Sequence, residues 1–188
     1  MNLLKAYFEY VSSPQRALRQ MLEQRSLAQA CIGYLAAALS WVLFFNIGDG
    51  VSFPVLLLKI GLVFAAEVTA GYILASFCGL FLDFMHVATS PAQLFVLIGT
   101  AGFIKGLLIA FALISAAFPW AHLGWLAPLA LLLVLGLQLG YLTRGVKRTS
   151  AASYGQAIAA WLFAFVPLAG SLILLGIFII WGIGLLFS

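Results

Sequence analysis

From Leu94 to Phe118 the sequence runs 25 residues with one charged side chain, Lys105, and four other long apolar runs accompany it. At 1.5 Å of rise per residue, about 20 helical residues cross about 30 Å of hydrocarbon. Lipid offers no partner for backbone N–H and C=O groups, so a run that crosses it satisfies them internally as a helix. Hydrophobic residues are 65% of the chain and charged ones 7%, against about 45–50% and about 25% in soluble domains. A soluble core of 188 residues cannot hide that much apolar surface. The expected fold class is all-α: a polytopic integral membrane helical bundle of about five transmembrane helices after an N-terminal segment, residues 1–27. The spans are expected at Ala28 to Ile47, Val55 to Leu82, Leu94 to Phe118, Trp125 to Leu142 and Ala157 to Phe187. The last is long for a straight crossing, and Pro167, Gly170 and Ser171 interrupt it. A tilted, kinked single helix is the first reading, a re-entrant or split helix the second.

Lysine and arginine set the orientation. Arg16, Arg19 and Arg25 precede the first span, and Arg144, Lys147 and Arg148 fill the connection between the fourth and fifth. Five crossings put both groups on one side, which the positive-inside rule makes the cytoplasm, with the C-terminus outside. Trp120, Trp125 and Trp181 then fall near the outer interface, and Tyr141, Tyr154 and Trp161 near the inner one. The net charge of +4 sits beside apolar runs, so anionic headgroups are the expected partner of these six cations and nucleic acid is not. Whether a second copy or another membrane protein also binds is open.

The N-terminal segment lacks the long apolar core and cleavage site of a signal peptide. Its Leu18, Met21 and Leu22 recur at helical spacing opposite Arg16, Arg19 and Glu23. Such a helix lies in the cytoplasmic headgroup layer or packs onto the inner ends of the spans. Ser followed three residues later by Gln recurs at Ser12–Gln15, Ser90–Gln93 and Ser153–Gln156, a capping-box arrangement at three expected helix starts on that side.

Two charges remain inside the spans. Lys105 lies near the middle of the third, too deep for its stem to reach either surface, and Glu67 lies at a similar depth in the second. Consecutive spans pack antiparallel, so the two can pair. Glu67, Gly71, Ala75 and Gly79 form a stripe at every fourth residue, and Gly102 and Gly106 flank Lys105 in a GxxxG, small surfaces that let helices approach closely. Gly136 and Gly140 form a second GxxxG, expected to serve internal packing. An isolated charge at a span centre costs about 2.5–3.5 kcal/mol, which a hydrogen-bonded pair offsets. The pair is either a structural staple or the midplane site of a small transporter or channel. Thr69, Tyr72 and Gln138 are the nearby polar side chains whose facing is open, and Lys59 is expected to anchor at the outer surface.

Catalytic, metal and cofactor chemistry finds no pattern. His86 and His122 fall on opposite sides of the expected membrane, Cys31 and Cys78 read as buried reduced thiols, and Gly48–Gly50 lacks the lysine of a phosphate loop. No catalytic residue, metal or cofactor is expected.

Three segments carry a family likeness: the proline-led SSPQRALRQMLEQ before the first span, the capped SPAQLFVLIGTAGFIKGLL, and the stretch from WLAPLALLLVLGLQLGYLTRGVKRTS to the proline-bearing AWLFAFVP. Spread along nearly the whole chain, they resemble the Ypt/Rab-interacting-protein family, the Yip-one domain family of five-span membrane proteins, in its bacterial branch. Asp83 to Ser90 lacks the glycines common there, and Ile104 and Lys105 stand where many members have proline. The resemblance implies a non-enzymatic integral membrane protein of a bacterial inner membrane, acting as a scaffold or organiser; the Rab GTPase partners of eukaryotic relatives do not transfer to a bacterium.

Overall fold

In the computed structural model the described residues are 27–46, 50–118 and 123–186, with the backbone alone described at 123–124 and 171–186. The expected N-terminal amphipathic helix with Arg16, Arg19 and Arg25, its Ser12–Gln15 cap, and Trp120 and His122 lie outside them, as does the Trp181 side chain.

Six α-helices cover these residues: α1 (Leu27–Asn46), α2 (Phe53–Phe84), α3 (Pro91–Ala101), α4 (Gly106–Ala117), α5 (Ala127–Thr149) and α6 (Tyr154–Leu186). The bundle is all-α, as expected. Taking α3 and α4 as one rod, four helices are long and apolar enough to cross a bilayer. In α6 the described side chains continue the apolar pattern from Tyr154 to Gly170, and its helix passes through Pro167 without ending.

Local chemistry sets the helix ends. Proline in the first turn starts α2, α3 and α5, where its missing N–H costs nothing. Ser153 and Gln156 form the expected reciprocal box at α6: the Ser153 amide donates to Gln156 Oε1 at 2.8 Å and the Gln156 amide to Ser153 Oγ at 3.2 Å. Ser90 does not. Its side chain makes no cap bond, and its carbonyl takes the amides of Gln93 and Leu94 instead. At the end of α2, His86 adopts a positive φ of 58°. The Val87 amide reaches Leu82 O and the His86 amide reaches Asp83 O, both at 2.9 Å, the paired bonds of a Schellman stop. Buried Val87 and Leu82 supply its apolar contact.

Packing concentrates at one end. Ala30, Tyr34, Cys78, Leu82, Leu94, Leu97, Val146 and Trp161 form one buried cluster from the start of α1, the end of α2, the start of α3, the end of α5 and the start of α6. Trp161, expected at an aqueous interface, is fully buried there; Cys31, expected buried, is free and exposed. Helix α5 continues past its expected end at Leu142 to Thr149, so Arg144, Lys147 and Arg148 lie on its last turns, not in a loop. All three are exposed, while Leu142, Thr143, Gly145 and Val146 between them are buried. Cations there also face the negative end of the helix dipole. Lys147 lies 3.8 Å over the Tyr154 ring, across the turn into α6.

Candidate functional site: the intramembrane charge pair and its cavity

The third rod is not a continuous α-helix. Residues Gly102–Lys105 form a 3-10 turn between α3 and α4, directly where that rod meets α1. A Cβ on Gly33 would lie 2.0 Å from Gly99 O, and one on Gly102 would lie 2.4 Å from Gly33 O. The two backbones therefore touch, through Gly33, Gly99 and Gly102. In a 3-10 turn residues three apart eclipse, so Lys105 shares the face of Gly102, which is the face on α1. Two turns beyond Gly33 on α1 stands Trp41.

The two buried charges meet at this depth. Lys105 Nζ lies 2.5 Å from Glu67 Oε1, with side chains 9% and 18% exposed. The Trp41 indole N–H donates to the same oxygen at 2.7 Å, and Lys105 Nζ lies 5.3 Å from the Trp41 ring centroid. Three spans thus converge on one carboxylate oxygen. Two charge-assisted bonds and a cation–π contact answer the desolvation of both ions. Trp41 has no signal in the sequence, since a tryptophan in an apolar run reads equally well as lipid-facing.

The small residues divide. Within the stripe on α2, Gly71 makes room for Tyr34 of α1 and Gly79 for Pro91 of α3, with buried Ala75 between them. Tyr34 Oη donates to Phe95 O at 3.0 Å, fastening α1 to α3. The expected match of glycine faces between the second and third spans is corrected: Gly102 meets Gly33 of the first, and Gly106 follows the turn half-buried. Gly136 and Gly140 are also corrected. Both are exposed with nothing within 4 Å of an added Cβ, so that GxxxG packs against no described part of the chain. Gly145, one turn further on, is the residue of α5 that receives Leu97.

Other polar residues find separate places. Lys59, the expected anchor at the outer surface, donates to Asn46 Oδ1 and so also clips α1 to α2. Thr69 bonds back to Ala65 O of its own helix, and Tyr72 is exposed.

Beside the pair, α2, α5 and α6 leave a cavity of about 560 Å³. Glu67, Lys105 and Gln138 form its polar wall; Ala70, Leu139 and Phe165 are among its apolar lining. Leu139 and Phe165 are exposed, so the cavity opens sideways, towards the face that acyl chains would cover. Among the described residues, Glu67 Oε2 and the Gln138 side-chain amide take part in no hydrogen bond. The site can therefore hold a fixed, charge-balanced polar wall against an apolar guest space. The chain matches no protein-family model, no curated protein and no solved structure.

Proposed function

We propose that the chain is a non-enzymatic, five-span bacterial inner-membrane protein of the Yip type, a scaffold or organiser with its N-terminus in the cytoplasm and its C-terminus outside. One observation carries the reading: the deepest charges are engaged with each other and with Trp41, which ties three spans into a fixed body. An ion or proton carrier needs a charge that changes partner during its cycle, whereas Lys105 and Trp41 both already hold the Glu67 carboxylate. The exposed cations Arg144, Lys147 and Arg148 hold the body against anionic cytoplasmic headgroups, with Arg16, Arg19 and Arg25 adding to them.

A second reading, a small transporter or channel using the same pair, draws support from the cavity that reaches it. Proteoliposome flux separates the two. The scaffold reading expects no ion flux above empty vesicles, and expects the neutral double variant Glu67→Gln with Lys105→Met to keep the parent's in-membrane cross-linking pattern. Flux that vanishes in Glu67→Gln would sink the scaffold in favour of the transporter.

A further inference from the structure

We propose that the cavity between α2, α5 and α6 is a binding site for a neutral lipid bearing a hydroxyl head, its chain leaving sideways past Leu139 and Phe165. The argument starts from charge. Lys105 and Glu67 already sum to zero, and Lys105 is nearly out of solvent. A carboxylate or ammonium head would add an uncompensated charge at the depth where charges cost most. A neutral head avoids that cost.

The unmatched hydrogen-bonding groups select among neutral heads. A carboxylate oxygen only accepts, and a primary amide both donates and accepts. Glu67 and Gln138 line the same cavity, and a hydroxyl head can serve both kinds of group, donating to Glu67 Oε2 and accepting from the Gln138 amide. An ether or an ester carbonyl can accept from Gln138 but leaves Glu67 Oε2 without a donor. The size also fits: about 560 Å³ is within the roughly 300–1,000 Å³ of ligand cavities. The apolar lining suits the first part of a chain whose remainder lies in the bilayer. Trp41, on the cavity wall, gives the site a spectroscopic reporter.

This inference needs the bundle to sit in a bilayer but not to act as a scaffold, because binding is read on reconstituted protein and the scaffold role on cross-linking in cells. The test uses the full chain in nanodiscs of zwitterionic lipid. Four probes brominated at carbons 6 and 7, in the part of the chain nearer the head, quench tryptophan: 6,7-dibromododecanol, 6,7-dibromododecanoate, 6,7-dibromododecylammonium and the monoacylglycerol of 6,7-dibromododecanoate. The expected result is saturable quenching by at least one hydroxyl probe, about tenfold tighter than by the carboxylate or the ammonium. The tighter of the two hydroxyl probes tells a simple alcohol from a glyceride head. Gln138→Leu should weaken binding about fivefold, the loss of one hydrogen bond. Ala70→Leu, which fills the cavity from α2, should abolish the saturable part. Quenching that is linear for every probe, or equal across the three head charges, overturns the proposal. The head comparison needs no variant, so it stands even where a substitution unfolds the protein.

Discussion

Glu67 holds its place through donors from two other helices, so removing either charged partner strands the other. Taking one member of a buried ion pair away costs about 3–5 kcal/mol when both are fully buried. Glu67 retains some exposure towards the cavity, so the lower end, about 3 kcal/mol, is the expectation for Glu67→Gln or Lys105→Met alone. The double variant should cost less than the two singles together by about 2 kcal/mol, a coupling read from unfolding in mixed micelles. Unchanged stability in both singles would end the staple. Trp41→Phe keeps an aromatic ring but loses the indole donor, and should cost about 1–2 kcal/mol on the same measurement. The charges were legible in the sequence because ions deep in hydrocarbon are too costly to leave single. Trp41 was not, because its contribution depends on a rotation of the third rod that no apolar pattern encodes.

At the level of the helices, glycines act by what lies opposite them. Gly33→Ala places a methyl group against Gly99 O, a backbone atom that cannot turn aside. The expected loss is about 2–3 kcal/mol as α1 and α3 separate. Gly136→Ala meets open space, and the gain in helix propensity makes it neutral or stabilising within about 1 kcal/mol. Equal losses in the two variants, by the same unfolding assay, would contradict this packing. The Schellman stop gives a substitution of opposite sign: His86 occupies a left-handed position that glycine takes without strain. His86→Gly should therefore stabilise by about 0.5–1 kcal/mol. Helix existence could be read from the apolar runs, since each must satisfy its own backbone. The break at Gly102–Lys105 could not, since it arises where two glycine-bearing backbones touch and a GxxxG written as i and i+4 hides a working pair at Gly99 and Gly102.

Across the whole molecule, the sequence resolves the direction normal to the bilayer better than the direction within it. Moving an arginine or lysine through hydrocarbon is costly, so cations mark one end of every rod beside them. Lateral order has no such marker, because a residue facing lipid and one facing a neighbouring helix are equally apolar. That is why the apolar pattern points the fourth span's glycines inward while they lie open, and points Trp161 to an interface while it is core. The antiparallel order of the helices turns the first kind of knowledge into a direct measurement. Ala88, before α3, and Ala151, after α5, are exposed at the end carrying Arg144, Lys147 and Arg148, and exposed Gly50, before α2, is at the other end. In a background with Cys31→Ser and Cys78→Ala, a membrane-impermeant maleimide applied to intact spheroplasts should label Gly50→Cys. Ala88→Cys and Ala151→Cys should react only after permeabilisation. The reverse pattern would invert the proposed orientation and leave the fold intact. Labelling of Gly50→Cys and Ala151→Cys from the same side would be fatal to the stack itself, since an even number of crossings would then separate them where α2, the α3–α4 rod and α5 supply three.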